Sequence, residues 1–333
     1  MAAIAILPAC AALGGARPVP VAPASVAPST MPVPSDLTAT DPPLAPVAPS
    51  APPDGSGPGR ASEAPSADPG SVQQSGTPSA DPGSVAAGSP ASASPLPAGV
   101  SRPDWLGTRP LPLGPDGEAL SQPTPDELVV RRVPTIDLLP LPPVAAPYAA
   151  TIQPLSDAVV ARSTWTPECP VAREELRYLT VSFWGFDDRP HTGEIIVNAS
   201  WAQEVADIFG QLFDVRYPIE EMRIVTAAEL DGVPTGDGND TTGFVCRPAR
   251  GSASWSQHAF GLAIDINPFI NPYQRGERIL PELAGAYLDR DHDRPGMLVE
   301  GSTAVQAFDA IGWGWGGRWN SLIDWMHFSA NGR

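Results

Sequence analysis

A histidine, a glycine and an aspartate stand in order within residues 254–267, which read SWSQHAFGLAIDIN. His258 comes first, Gly261 lets the backbone reverse, and Asp265 follows in an apolar run that is typical of a strand. An imidazole and a carboxylate brought together in this way suit a zinc ion, which accepts nitrogen and oxygen ligands. Taken alone, the pair is weak evidence for a metal, because it is more typical of a hydrogen-bonded histidine and aspartate in a protein core.

A second segment strengthens the metal interpretation. Residues 324–328 read DWMHF, so that a carboxylate stands three residues before a histidine. Zinc hydrolases need three protein ligands, an open position for water and a nearby carboxylate that accepts the proton of the water. We therefore predict that His258, Asp265 and His327 hold one zinc ion. Asp324 is the predicted general base, with an ordinary surface carboxylate as the alternative.

Together the two segments resemble a family of zinc peptidases. The pattern SxHxxGxAxD at residues 256–265, followed by DxxHF at residues 324–328, is similar to that of the D-alanyl-D-alanine carboxypeptidases and L-alanyl-D-glutamate endopeptidases. This family includes the VanY-type enzymes and many phage endolysins, and the hedgehog signalling domain shares its metal-site fold. The resemblance covers residues 176–333 and implies the zinc ligands and the base assigned above.

The resemblance also implies a reaction and a substrate. It implies hydrolysis of amide bonds in the stem peptides of peptidoglycan, of the DD-carboxypeptidase or LD-endopeptidase type. Many relatives have glutamate in the place of Asp324, whereas the endolysin-like branch has aspartate, so this difference bears on the subfamily. The alternative is a catalytically silent, zinc-stabilised cell-wall binding module, and the presence of Asp324 argues against it.

Three further residues are candidates for contact with the substrate. Arg247 matches an arginine that precedes the zinc motif in the family, and its guanidinium suits an oxyanion or a substrate carboxylate, while a structural salt bridge is the alternative. Ser256 is expected to bond the substrate or to steady the loop of His258. Trp325 is a candidate substrate contact within a cluster that we interpret mainly as pocket wall and core. The cluster comprises Trp313, Trp315, Trp319 and Trp325.

Four other polar residues are weaker candidates. Asn239 or Asp240 is expected to approach the site. His292 lies between two aspartates and is expected on the surface. His191 is expected in a solvated loop, or alternatively in the layer around the metal ligands.

The apolar pattern from Cys169 onward predicts an α+β domain over residues 166–333, with a small mixed, mainly antiparallel sheet flanked by helices. Strands are predicted at residues 176–183, 194–197, 222–226, 244–246, 263–266 and 323–328. One helix is predicted to follow a cap at Asn198 or Ser200 and to run through Asp214. A second helix is predicted at residues 303–311.

The chain before this domain has an unusual composition, because 43 prolines and 31 glycines occur among 333 residues. Residues 1–16 resemble a signal peptide, or a lipoprotein signal in which Cys10 is lipidated. Residues 17–100 are predicted to be a disordered Pro/Ala/Ser-rich linker. Residues 101–165 are predicted to be an extended proline-rich arm over the domain, with further linker as the alternative. The expected apolar anchors of the arm are Trp105, Leu106, Leu111, Leu113, Ile136, Leu138, Leu139 and Leu141.

The net charge and the cysteines indicate which kinds of partner and which cellular compartment the sequence favours. The net charge of −17 leaves no basic patch for nucleic acid, and a membrane is expected only through the lipid anchor. An oligomer is not expected. The signal-like start predicts export to the cell wall or to the membrane surface as a lipoprotein. Cys169 and Cys246 are then a candidate disulfide, and free buried thiols are the alternative.

Overall fold

The computed structural model describes Gly99, residues 101–143 and residues 145–333. The signal-like segment, Cys10 and almost all of the predicted linker lie outside the described residues. Within the described part, no helix is long and apolar enough to cross a membrane.

The elements are short and irregularly ordered along the chain. The α-helices are α1 (Asp126–Val129), α2 (Asp157–Val160), α3 (Ala202–Asp214), α4 (Ala227–Leu230) and α5 (Thr303–Ala310). The strands are β1 (Ala150–Pro154), β2 (Leu176–Trp184), β3 (Pro190–Asn198), β4 (Glu221–Met222), β5 (Asp240–Thr241), β6 (Ala263–Asp265), β7 (Tyr273–Arg275), β8 (Arg278–Leu280), β9 (Gly314–Trp315), β10 (Ile323–Asp324) and β11 (His327–Ser329). Single 3-10 turns cover Arg173–Glu175, Ala199–Trp201, Gln257–Phe260, Gly285–Tyr287 and Gly316–Arg318.

The strands of the described residues form small sheets, most of them antiparallel. The orders are β1-β2-β3, β6-β11-β9 and β10-β7-β8, and β4 and β5 form a parallel pair. The predicted α+β class is therefore confirmed, and the antiparallel pairing is divided among separate sheets.

The main core lies between the first sheet and two helices. β2 is the central strand of its sheet, and the apolar stripe of α3 packs against it. That stripe consists of Val205, Ile208, Phe209 and Leu212, as the helical spacing predicts. The Asn198 side chain accepts a hydrogen bond from the Ser200 backbone N–H at 3.1 Å, which caps the 3-10 turn leading into α3.

The predicted strand at residues 323–328 is divided between two sheets. β10 pairs with β7, whereas β11 pairs with β6 and β9. Between them, the backbone N–H of Trp325 donates to the carbonyl of Pro272 at 3.3 Å, and the carbonyl of Met326 accepts from Ile266 at 3.0 Å. These bonds turn the chain from one sheet to the next, which the apolar pattern did not indicate.

Two other strand predictions differ from the structure. The predicted strand at residues 222–226 is reduced to β4, and residues 244–246 form no strand. Phe244 donates its N–H to the carbonyl of Ile196 at 2.8 Å, and Val245 donates to the carbonyl of His258 at 3.1 Å. Successive residues thus bond to different segments, so no continuous ladder forms.

The segment predicted as an arm packs on the domain through part of its length. Leu106, Leu111, Leu128 and Val133 join a second core with Phe269 and its neighbours. β1 lies in the same segment and pairs with β2 as an edge strand.

Several expected anchors of the arm are exposed instead, namely Leu113, Ile136, Leu138 and Leu141. Polar contacts hold the arm in this region. Thr192 donates to the carbonyl of Pro140 at 2.8 Å, and His191 lies 2.8 Å from Asp137.

A buried ion pair also joins the arm to the domain. Both Arg131 and Glu220 have side chains only 1 % exposed, and two guanidinium nitrogens donate to the two carboxylate oxygens at 2.6 Å. Such a bidentate pair satisfies two charges that burial would otherwise leave uncompensated.

The structure joins Cys169 and Cys246 in a disulfide across 77 residues of sequence. The bridge lies beside a third apolar cluster, which includes Leu176, Ile196 and Phe244. It therefore ties the segment before β2 to the segment that carries Arg247.

Candidate active site

His258 lies on the 3-10 turn Gln257–Phe260. Local contacts fix this turn at its start and at its end. At the start, the Ser256 hydroxyl accepts a hydrogen bond from the His258 backbone N–H at 3.3 Å. At the end, Gly261 adopts a left-handed conformation with φ of 66°. A Cβ at Gly261 would lie 2.6 Å from the Asn198 nitrogen, so both the conformation and the space require glycine.

Asp265 and His327 face each other across two antiparallel strands. β6 ends at Asp265, β11 begins at His327, and the two residues are directly paired. Side chains of paired residues lie on the same face of a sheet, so the ladder itself brings the carboxylate to the imidazole. The Asp265 Oδ1 atom lies 3.0 Å from His327 Nδ1.

The three predicted ligands converge on one point. His258 Nε2 lies 3.2 Å from Asp265 Oδ2 and 3.3 Å from His327 Nδ1. The edge of a tetrahedron of ligands around zinc is about 3.3 Å for metal–ligand distances of about 2.0–2.1 Å, so these separations fit such an ion. Within the described residues, His258, Asp265 and His327 form the group that could hold a metal ion.

The electrostatics of the group favour binding of a cation. His258 Nδ1 lies 2.6 Å from the carbonyl of Gly243, which fixes the proton on that nitrogen and turns Nε2 toward the other ligands. Burial alone would raise the pKa of Asp265, but the imidazoles of His258 and His327 outweigh burial and hold this pKa well below its usual range. Asp265 is therefore ionised, as a metal ligand must be.

Asp324 stands beside the three ligands without joining them. Its Oδ1 atom is buried and has no hydrogen-bond partner within the described residues. Burial and, to a smaller extent, the charge of Asp265 raise the pKa of Asp324 to about 7, against the opposing effects of His327 and Arg247. A buried carboxyl that titrates near neutrality is suited to accepting and returning a proton.

Arg247 faces the two carboxylates but forms no ion pair in the described part of the chain. Its Nη1 donates to the carbonyl of Pro248 at 3.2 Å. Burial lowers the pKa of Arg247, Arg250 lowers it further, and the charges of Asp265 and Asp324 oppose this. Among the described residues, the alternative of a structural salt bridge is therefore not observed, and the bond from Nη1 to Pro248 is the only one that the guanidinium makes there.

The two other candidate substrate residues differ in their surroundings. Ser256 caps the turn of His258 and is mostly buried, which agrees with the steadying role. Trp325 is 9 % exposed, and the guanidinium of Arg290 lies 5.1 Å from its ring. Trp313 and Trp315 belong with Trp325 to the main core. A contact between Trp325 and a substrate stays a prediction.

Trp319 lies against a predicted ligand, although no separate role was predicted for it within the tryptophan cluster. Its ring centroid lies 5.4 Å from that of His327, and it is only half-buried. Nothing in the local sequence separates it from the other three tryptophans, because the contact depends on the fold of the segment around Gly316–Arg318.

The weaker candidates lie in other environments. Asn239 bonds to Glu220 and to the backbone of Phe269, and Asp240 turns toward Arg223. The expectation of a solvated loop for His191 was wrong, because this side chain is buried between Asp137 and Asp187 at 2.8 and 2.9 Å. His292 is exposed, as expected, and bonds to Asp289.

Comparisons with known proteins add one match to this geometry. No curated protein and no solved structure matches the chain. One family model matches a segment that is shorter than half of the chain. This segment contains all three residues of the candidate metal group as well as Asp324, and it begins after Arg247. Residues 250–330 match the family model described as D-alanyl-D-alanine carboxypeptidase, which confirms the family resemblance of this segment.

Proposed function

We propose that this protein is a zinc-dependent peptidase that hydrolyses amide bonds in the stem peptides of peptidoglycan, as a DD-carboxypeptidase or an LD-endopeptidase. One observation carries the proposal. Within the matched segment, His258, Asp265 and His327 converge with ligand-like separations. Next to them stands Asp324, whose buried Oδ1 atom has no hydrogen-bond partner among the described residues.

The donor set supports zinc as the metal. Two imidazole nitrogens and one carboxylate oxygen are ligands that zinc accepts, and a three-residue set leaves a fourth position open. When bound, zinc supplies Lewis acidity, which polarises a carbonyl group and lowers the pKa of water to about 7.

The residues around the ligands would handle the proton and the developing charge. Asp324 Oδ1 has no hydrogen-bond partner in the part of the chain that the structure describes, so it would accept a proton from the attacking water and return it to the leaving amine. The Arg247 guanidinium makes a single hydrogen bond to the described residues, so its other donors would stabilise the oxyanion that forms on the peptide carbonyl. His258 and His327 stay in place as ligands throughout.

The proposed location is outside the cytoplasm, in the cell wall or at the membrane surface through lipidated Cys10. The disulfide between Cys169 and Cys246 supports this proposal, because such bonds persist in oxidising compartments. The substrate polymer lies in the same place. We further propose that the protein acts on peptides without nucleic acid and without forming an oligomer.

The alternative is a zinc-stabilised wall-binding module without catalysis. Binding alone does not require a carboxyl whose pKa is raised to about 7 by burial and by Asp265. Such a group lowers stability at neutral pH, so its presence favours the enzyme.

Mass spectrometry of purified stem peptides after incubation with the zinc-loaded protein tests the proposal. Loss of the terminal D-alanine would identify a DD-carboxypeptidase, and a cut between L-alanine and D-glutamate would identify an LD-endopeptidase. Intact peptides together with retained binding to cell-wall material would contradict the enzymatic proposal and favour the binding module.

A further inference from the structure

The two histidines of the candidate metal group are held in different ways. The Nδ1 atom of His258 is fixed by the carbonyl of Gly243 at 2.6 Å. In the described part of the chain, the His327 side chain has hydrogen-bonding contacts only through Nδ1, the atom that faces Asp265 and His258. Histidine ligands of metals usually donate their second N–H to a carbonyl or carboxylate, which fixes the orientation of the ring. Among the described residues the His327 imidazole has no such bond, so the orientation of its ring depends on the residues packed against it.

Trp319 supplies that packing. Its ring centroid lies 5.4 Å from that of His327, with 52° between the planes. The indole is itself anchored, because Nε1 donates to the carbonyl of Gly332 at 2.9 Å and the backbone N–H donates to the carbonyl of Gly316 at 3.2 Å. One bond holds the ring and the other holds the backbone that carries it, so the indole is a firm flat surface for the imidazole.

The turn that carries Trp319 is pressed against Asp324. A Cβ at Gly316 would lie 2.5 Å from the Asp324 carbonyl oxygen and 3.0 Å from its Cβ, so only glycine permits this approach. The turn and the segment from Asp324 to His327 therefore fix each other. The neighbouring Trp313, Trp315 and Trp325 are 2 %, 5 % and 9 % exposed and belong to the main core, unlike the half-buried Trp319.

We propose that Trp319 is a positioning residue for His327. Its indole holds the imidazole in the orientation in which Nδ1 faces Asp265 and His258. Packing of the indole thus orients His327, as the hydrogen bond to the Gly243 carbonyl orients His258. This inference rests on the proposed function, in which these three residues are the zinc ligands.

Zinc affinity tests the proposal without reference to catalysis. The affinities of the full-length wild type, Trp319→Leu and Trp319→Phe for Zn²⁺ would be measured by competition with a chromophoric chelator. We expect Trp319→Leu to weaken binding about 10–100-fold, the range for loss of a residue that orients a ligand. Trp319→Phe keeps a flat ring and loses only the bond to Gly332, so its loss should be smaller.

Trp165→Leu is the matched control. Trp165 is also half-buried and also donates its indole N–H to a backbone carbonyl, that of Val171 at 3.1 Å. It contacts none of the three ligands, so this variant should bind zinc with the affinity of the wild type. Equal zinc affinity in Trp319→Leu and the wild type would overturn the proposal. Failure of the wild type to bind zinc would instead count against the proposed function.

A second variant keeps the test decisive if Trp319→Leu does not fold, as judged by far-ultraviolet circular dichroism. Trp319→Met retains apolar bulk without a flat ring and should weaken zinc binding by a similar factor. The visible absorption of the Co²⁺-substituted protein reports the ligand geometry and should change in Trp319→Met but much less in Trp319→Phe. An unchanged spectrum and affinity in Trp319→Met would contradict the positioning role.

Discussion

Replacement of Asp324 by asparagine should separate proton transfer from folding and metal binding. Asparagine has nearly the same shape but cannot accept the proton of the attacking water. Turnover should fall by about 10²–10⁴-fold, the usual contribution of a general acid–base group, or about 3–5 kcal/mol in the activation free energy. Zinc content should stay at one ion per chain, because Asp324 is not a ligand in the proposed set.

The same substitution should also change stability with pH, in a direction that the structure fixes. Burial and the charge of Asp265 raise the pKa of Asp324 from its ordinary 3.8 to about 7. The folded protein therefore prefers the protonated form, and the free energy of unfolding falls as the pH rises through this interval. At about 1.4 kcal/mol per unit of pKa, the upper limit of the loss above neutrality is about 4 kcal/mol, and partial solvent access reduces it.

Metal-free Asp324→Asn should consequently be more stable than the metal-free wild type at pH 8. Below pH 4 the two proteins should have the same free energy of unfolding. Denaturant unfolding at the two pH values measures this difference. Asp240→Asn is a matched control, because burial also raises the pKa of Asp240 well above its usual value, while its side chain faces Arg223. It should share the pH-dependent gain and keep full turnover. Undiminished hydrolysis by Asp324→Asn would refute the role of the general base.

Three other perturbations have expected outcomes. His258→Ala should lose zinc and part of the thermal stability, measured by metal analysis and melting, since binding and folding are coupled; full occupancy would remove it from the ligand set. Reduction of the Cys169–Cys246 bridge, which spans 77 residues, should cost about 4–5 kcal/mol in the chain-entropy account, seen as a lower denaturation midpoint; an unchanged midpoint would contradict this. Arg131→Met should leave Glu220 buried and unpaired at a cost of about 3–5 kcal/mol in denaturant unfolding, and wild-type stability would show that the arm is not held by this pair.

The convergence of the candidate metal group could be predicted from the sequence because each of its residues lies within a local signal. His258 follows a serine cap and precedes a glycine that ends the turn, and Asp265 lies in a recognisable strand. His327 is identified by its spacing from Asp324. These features depend on a few neighbouring residues, so one sequence is enough to place them.

Other features depend on contacts between distant segments. The break in the strand at Trp325 reflects a change of sheet partner, which the apolar pattern does not encode. The pair of Arg131 and Glu220 joins residues 89 positions apart, and nothing near either residue predicts its partner. Trp319 looks like its neighbours in sequence and differs only in what the folded turn places against it.

The direct pairing of Asp265 with His327 has a consequence for how the last strand finds its place. A slip of one residue between β6 and β11 would turn His327 to the opposite face of the sheet and remove it from the other two ligands. A bound ion would therefore stabilise the correct strand register selectively, since only that register offers it a complete set of ligands. Metal loading would thus report correct assembly of this part of the protein, in addition to supplying the chemistry of the site.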